Sequence, residues 1–137
     1  RSCLVGSEMC IRDRHYIKIG DKVNIQDGAV IHCTYQKHAT EIGHNVSIGH
    51  NALVHGCSIH NNVLVGMGAI VMDGAVIESN SIIAAGAIVL EGTLVESGSI
   101  YAGVPAKKIK SLSQEQTARL IEGISNNYVM YSSWFSE

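Results

Sequence analysis

Aliphatic residues recur every six positions along most of this chain. From Ile59 onward, an Ile or a Val opens each successive group of six residues, and the fifth position of each group is small or β-branched. The opening residues of these groups are Ile59, Val65, Val71, Ile77, Ile83, Val89 and Val95. Upstream, the same spacing occurs at Ile19, Ile25 and Ile31, and again at Ile42, Ile48 and Val54. Such internal repetition is typical of a repeat architecture.

Each group of six predicts one short strand and one bend, and three groups close a triangular coil. The opening aliphatic residue points inward and stacks on its counterpart one coil away, while the fifth residue faces the narrow interior near a corner. Neighbouring coils then pair as parallel strands about 4.8 Å apart. The glycines that suit bends with positive φ include Gly20, Gly43, Gly49, Gly66 and Gly92. The sequence therefore predicts an all-β fold over residues 15–110, a parallel β-helix of hexapeptide repeats that resembles the left-handed form.

A different period begins after the segment YAGVPAKKIK, residues 101–110. Ser113 and Gln116 have the spacing of a capping box. Apolar residues then follow at helical spacing, at Leu120, Ile121, Ile124, Tyr128 and Tyr131. We predict an amphipathic α-helix over residues 113–131, packed along the β-helix, within a C-terminal region of residues 111–137.

The first residues of the chain have a separate origin in our interpretation. The segment LVGSEMCIRDR, residues 4–14, resembles the translation of a transposase-type sequencing-library adapter. We therefore set residues 1–14 aside from the fold prediction as a non-native artefact. On this interpretation the native N-terminal coils are missing from the sequence, and the question of a targeting signal stays open.

Composition and charge argue against several classes of partner. The net charge of −2 gives no basic surface for nucleic acid, and no apolar run approaches the roughly 18 residues that span a membrane. With Cys3 and Cys10 set aside, Cys33 and Cys57 remain, and they lack C-x-x-C spacing. They are either reduced thiols or, alternatively, metal ligands or a disulfide. We expect a cytoplasmic protein without membrane or nucleic-acid partners.

The period of six is interrupted twice. Eleven positions separate Ile31 from Ile42, and five separate Val54 from Ile59. We therefore predict that residues 33–41 leave the β-helix as a small loop. With that loop set aside, Ile31 and Val54 lie on the same face of the prism, one coil apart.

Two histidines become neighbours in this register. His32 follows Ile31 and His55 follows Val54, so both side chains point outward with backbones about 5 Å apart. Imidazoles at that separation can share one metal ion, with Zn–N distances of about 2.0–2.1 Å. His50 lies near a different corner and would join them only from a neighbouring subunit, as in a trimer of prisms. On spacing alone, incidental surface histidines of a structural repeat explain the pattern equally well.

Four segments resemble the γ-class carbonic anhydrases and their close homologues. They are NIQDGAVIH (24–32), IGHNALVHG (48–56), VGMGAIVMDGAVI (65–77) and YAGVPAKKI (101–109). The resemblance covers residues 15 to about 135. It implies a homotrimer with metal sites at the subunit interfaces, where His32 and His55 come from one subunit and His50 from its neighbour.

The resemblance also implies an activity and a cofactor. The activity is the reversible hydration of CO₂ to bicarbonate, with metal-bound hydroxide as the nucleophile and Zn²⁺, or alternatively Fe²⁺ or Co²⁺, as the metal. Gln26 and Asn24 match positions that form hydrogen bonds around the metal in the family, although Asn24 also suits a role in stabilising a corner. Asp27 is expected to support the interface or a metal ligand.

Departures from the family pattern leave alternatives open. The founding archaeal enzymes carry a proton-shuttling glutamate on an acidic loop, and Tyr35 stands where it would be expected. The second hypothesis is therefore a metal-binding scaffold or assembly protein that is catalytically silent. A third is a hexapeptide acyltransferase, although the long protruding loop often found in such enzymes is absent from this chain.

Overall fold

The structure is a computed structural model that describes residues 16–124. Its strands wind into a prism of three sheets, which is the predicted left-handed parallel β-helix. The proposed adapter segment lies outside the described residues, and so do Tyr128, Tyr131 and the rest of the predicted helix beyond residue 124.

Short strands follow one another around the prism. In chain order they are β1 (Ile17–Ile19), β2 (Asn24–Ile25), β3 (Val30–His32), β4 (Thr40–Ile42), β5 (Val46–Ile48), β6 (Leu53–His55), β7 (Ser58–Ile59), β8 (Val63–Val65), β9 (Ile70–Val71), β10 (Val76–Ile77), β11 (Ser81–Ile83), β12 (Ile88–Val89), β13 (Leu94–Val95), β14 (Ser99–Ala102) and β15 (Lys107–Ser111). Sheet A contains β1, β4, β7, β10 and β13; sheet B contains β2, β5, β8, β11, β14 and β15; sheet C contains β3, β6, β9 and β12. The neighbours in each sheet are parallel, except that β15 pairs antiparallel with β14. The chain therefore leaves the parallel winding at β15.

The inward positions of the repeat form the core, as predicted. The opening residues of the groups from the second coil onward are all buried: Ile42, Ile48, Val54, Ile59, Val65, Val71, Ile77, Ile83, Val89 and Val95. Cys57 takes the place of a small fifth residue and is 1 % exposed. Cys33 and Cys57 are both free thiols, so neither forms a disulfide in the structure.

We expect Cys57 to resist alkylation in the folded protein. Burial raises the pKa of its thiol to about 12, so little reactive thiolate forms near neutral pH. Cys33 is only half-buried. Treatment with iodoacetamide, followed by peptide mass spectrometry, should label Cys33 before Cys57, and unfolding in guanidinium should remove the difference. Equal labelling rates in the native protein would contradict the inward packing of Cys57.

The loop that interrupts the repeat is shorter than the predicted residues 33–41. Thr40 and Glu41 belong to β4, where they pair with β1 of sheet A. An antiparallel bridge joins Thr34 to His38, and the Thr34 amide donates to the His38 carbonyl over 3.0 Å. The loop is therefore a compact turn over residues 33–39 that returns directly to the prism.

The prediction that the bend glycines adopt positive φ is wrong for most of them. Among the five, only Gly92 has positive φ, at 69°. At the others a Cβ atom would lie less than 3.0 Å from backbone of the next coil; these are Gly20, Gly43, Gly49 and Gly66. Positive φ occurs two residues after each of these four, at Lys22, Asn45, Asn51 and Gly68. Close approach between coils, and not φ, therefore requires glycine at the four positions.

The predicted capping box is present at the start of the C-terminal helix. Ser113 Oγ accepts from the Gln116 amide over 3.1 Å, and Gln116 Oε1 accepts from the Ser113 amide over 3.0 Å. Helix α1 (Gln114–Thr117) follows, and a π-helical turn (Ala118–Glu122) continues it. Ile121 is fully buried. Over residues 16–124, no helix has the length and apolar character needed to cross a membrane.

Candidate metal centre

Two adjacent strands of sheet C place His32 and His55 side by side. Strands β3 and β6 pair with Ile31 opposite Val54 and His32 opposite His55, which is the predicted register. Because side chains alternate along a strand, the aliphatic residues point inward and both imidazoles point outward. His32 Nδ1 lies 3.1 Å from His55 Nε2, and the ring centroids are 5.0 Å apart. We call these two residues the histidine pair.

The spacing of the two ring nitrogens fits a shared metal ion. Two nitrogens bound to one tetrahedral Zn²⁺ at about 2.0–2.1 Å lie about 3.3 Å from each other. The observed separation of 3.1 Å is close to that value. Neutral imidazole is a suitable ligand for Zn²⁺, Fe²⁺ and Co²⁺. The pair can therefore supply two ligands to a divalent transition metal.

Asp73 contacts the opposite edge of the His55 ring. Its Oδ1 lies 2.5 Å from His55 Nδ1, and the Thr34 hydroxyl donates to its Oδ2. A carboxylate beside Nδ1 favours the tautomer with the proton on that nitrogen, in which the lone pair of Nε2 would face His32. Neither Asp73 nor Thr34 is among the site residues predicted from the sequence. The signal that could have found Asp73 is its position 18 residues after His55, which is one full coil.

Burial and hydrogen bonding shift the pKa of Asp73 in opposite directions. Desolvation raises the pKa, whereas the hydrogen bonds from Thr34 and then His55, together with the charges of His55 and His38, lower it. The lowering effects prevail, and the pKa lies below its ordinary value. Asp73 is therefore an ionised hydrogen-bond acceptor at neutral pH.

His50 lies on another part of the prism. It follows β5 in the corner that leads from sheet B to sheet C, and the Asn51 amide there donates to the Asp27 carbonyl over 3.0 Å. The corner with His50 therefore stacks on the corner with Asp27. Within residues 16–124, no three His, Cys, Asp or Glu side chains come together as a possible metal site. His50 therefore does not complete a site with the histidine pair of its own chain.

The two predicted amide residues lie near His50 and away from the histidine pair. Gln26 Nε2 donates to Asn24 Oδ1 over 3.2 Å, and Asn24 Nδ2 donates to Ser47 Oγ over 2.6 Å. Strand β2 pairs with β5 of sheet B, with Asn24 opposite Ser47. The predicted site residues thus form two groups, the histidine pair and a second set that we call the corner group. The corner group comprises Asn24, Gln26, Asp27 and His50.

Comparison with known proteins identifies the family. Residues 56–91 match the family described as bacterial transferase hexapeptide (six repeats). The chain is 43 % identical to protein YrdA of Escherichia coli, covering 87 % of the chain and 67 % of that protein. It is 44 % identical to a Methanocaldococcus jannaschii protein named "Probable carbonic anhydrase", covering 84 % of the chain and 69 % of that protein. The chain belongs to the γ-carbonic anhydrase-like family.

This γ-carbonic anhydrase-like chain is also similar in three dimensions to a solved structure. The crystal structure of a hexapeptide transferase family protein from Anaplasma phagocytophilum is 40 % identical, with a TM-score of 0.78 over 85 % of the chain and 68 % of that protein. The chain spans about two thirds of the length of each of these relatives. Their names differ in the activity they imply, so family membership alone does not assign an activity to this γ-carbonic anhydrase-like chain.

Proposed function

We propose that this chain reversibly hydrates CO₂ to bicarbonate in a homotrimer with a divalent metal, Zn²⁺ or alternatively Fe²⁺ or Co²⁺, at each subunit interface. The observation that carries the proposal is the separation of the His32–His55 pair from His50 on one chain. A site that needs all three ligands must then be built from two subunits. We place the activity in the cytoplasm, where free thiols such as Cys33 and Cys57 stay reduced.

The outer face of sheet C supports this assembly. One aliphatic side chain on each strand points outward, and these residues lie opposite one another in the sheet: Val30, Leu53, Ile70 and Ile88. Val30, the first of the row, is 52 % exposed. A continuous aliphatic row beside a polar pair is typical of a surface that another protein covers. In a cyclic trimer, each subunit would set this row and its histidine pair against the corner group of the next.

The ligand set suits metal-assisted hydration. His32 Nδ1 and His55 Nε2 would hold the metal together with His50 of the partner subunit. When bound, such a metal supplies Lewis-acid chemistry that makes water a nucleophile near neutral pH. Asp73 assists by keeping the His55 proton on Nδ1, away from the metal side of the ring. Three neutral imidazoles leave the charge of the metal uncompensated, which favours this chemistry.

The corner group would bring a fixed polar side chain to the same site. Gln26 Nε2 is engaged by Asn24 Oδ1, so the amide plane is held and Gln26 Oε1 can accept a hydrogen bond from the attacking water. A preorganised acceptor lowers the reorganisation needed in the transition state. Asp27, which is exposed beside Gln26, would support the subunit interface.

One observation favours a second candidate, a metal-binding scaffold that does not catalyse hydration. Hydration of CO₂ releases a proton that must leave the site, and residues 33–39 include no acid. Glu41, which follows this loop, accepts a hydrogen bond from the Tyr16 hydroxyl, and that bond raises the pKa of Tyr16. The nearest acid in sequence is thus engaged on sheet A and does not provide an evident route for the proton.

Metal content and CO₂ hydration rate of the purified trimer test the proposal, with His50→Ala as the control. One metal per chain, with hydration lost in His50→Ala, is the expected result. Bound metal without hydration would favour the scaffold, and saturable acyl-CoA binding would favour a hexapeptide acyltransferase. A trimer that binds no metal would refute both metal-dependent candidates.

A further inference from the structure

We propose that Asp73 and Thr34 form a positioning unit that selects the tautomer of His55 and thereby sets the metal affinity of the site. The metal part of this inference rests on the proposed function, whereas the tautomer part does not. Neither residue belongs to the predicted ligand set, and both act on His55 from the edge opposite His32.

The backbone leaves a gap that lets the carboxylate reach the ring. Asp73 lies in the corner after β9, and it extends over Gly56 to bring Oδ1 within 2.5 Å of His55 Nδ1. A Cβ at residue 56 would collide with Asp73 Oδ1 and press on the His38 Cβ at 3.1 Å. Gly56 also has a φ of 57°, a conformation that L side chains rarely adopt. Glycine is therefore required here for the carboxylate–imidazole contact.

Thr34 connects the loop at residues 33–39 to this carboxylate. The bridge between Thr34 and His38 fixes the loop, and the Thr34 hydroxyl donates its only proton to Asp73 Oδ2. Thr34 Oγ1 also lies 3.3 Å from His55 Nδ1, where it can accept a minor share of that N–H. The loop that breaks the period of six thus delivers one hydroxyl that orients the carboxylate.

The consequence for His55 is a single tautomer. With both Asp73 Oδ1 and Thr34 Oγ1 as acceptors, the proton stays on Nδ1 and the Nε2 lone pair faces His32 Nδ1 at 3.1 Å. Without metal, His32 Nδ1–H donates to that lone pair, which keeps the rings at the spacing a metal requires. Loss of the carboxylate charge makes the second tautomer accessible and frees the ring to rotate.

Asp73→Asn, Thr34→Val and Glu91→Gln test the proposal. Glu91 is the matched control because it is exposed and lies one coil beyond Asp73 in the same corner. Glu91→Gln removes the same negative charge as Asp73→Asn. Zn²⁺ affinity is measured by chelator competition, and the His55 tautomer by ¹⁵N NMR of the metal-free protein. Asp73→Asn should weaken Zn²⁺ binding about 10- to 100-fold and give mixed tautomers. Thr34→Val should shift both readouts less, and Glu91→Gln should shift neither.

The two readouts separate this inference from the proposed function. Unchanged tautomer and unchanged affinity in Asp73→Asn would overturn the positioning role. Wild-type protein that binds none of Zn²⁺, Fe²⁺ and Co²⁺ would overturn the proposed function, and the tautomer comparison on metal-free protein would still decide the role of Asp73. If Asp73→Asn does not fold, Thr34→Val decides, because a valine of the same shape removes only the hydroxyl; wild-type behaviour of that variant would overturn the proposal.

Discussion

Mixing two metal-free variants, His50→Ala and His55→Ala, should restore about a quarter of the wild-type metal content. The first keeps the histidine pair and the second keeps the corner group, which lie on separate parts of one chain. In the proposed cyclic trimer, each site would take the pair from one subunit and His50 from the next. If equal amounts of the two variants assemble at random, half of the sites have an intact histidine pair and half have an intact corner group. About a quarter of the sites then have both. Metal per chain and hydration rate after co-expression measure this fraction.

The matched control mixes His55→Ala with His32→Ala. Both variants lack a complete histidine pair, so no arrangement of subunits rebuilds a site, and the mixture should stay as metal-poor as each variant alone. If the mixture of His50→Ala and His55→Ala has an equally low metal content, His50 is not contributed by a neighbouring subunit. If His50→Ala alone keeps wild-type metal content, the metal is held without His50 and the shared site is wrong.

The architecture follows from the sequence because each coil repeats the same environment. An inward position that must be aliphatic in one coil must be aliphatic in the next, so the period of six is visible without knowledge of any contact. The same logic gave the register of His32 with His55, because the loop could be set aside as an insertion between Ile31 and Ile42. The predicted inward positions and the predicted register of His32 with His55 are therefore confirmed.

The bounds of the loop and the side-chain contacts at the corners could not be predicted. The bounds of the loop changed because Thr40 and Glu41 pair with β1, a partner that the period does not reveal. One corner contains asparagines at positive φ that form a hydrogen-bonded series along the prism: Asn45, Asn62 and Asn80. Their sequence positions alone do not distinguish such a ladder from solvated turn residues.

Asp73 was not predicted as part of the site because its role also depends on contacts between coils. Asp73 and Glu91 occupy equivalent corner positions one coil apart, so the repeat pattern does not separate them. What distinguishes Asp73 is the loop at residues 33–39, which folds back to place Thr34 beside it, and the absence of a side chain at Gly56. Candidate ligands of a metal can be proposed from residue type and register, whereas the groups that would orient those ligands depend on tertiary contacts.

Because neighbouring coils approach each other closely at Gly66, we expect Gly66→Ala to destabilise the protein severely. A Cβ at residue 66 would lie 2.5 Å from the Ala85 amide nitrogen and 2.8 Å from the Ala84 carbonyl carbon. These are backbone atoms that follow β11, which is paired with β8 on one side and β14 on the other, so they cannot move alone. We expect a loss of about 3 kcal/mol in the free energy of unfolding, measured by urea denaturation.

Gly68→Ala separates this steric effect from the cost of backbone conformation. Gly68 lies in the same corner with a φ of 67°, and a Cβ there would meet no atom within 4 Å. Its substitution should therefore cost only the left-handed conformational penalty, about 1 kcal/mol. Equal losses at the two positions would mean that close approach between coils adds no steric cost at Gly66. A much larger loss at Gly66 means that the spacing of neighbouring coils, which also sets the distance between His32 and His55, leaves no room for a side chain at Gly66.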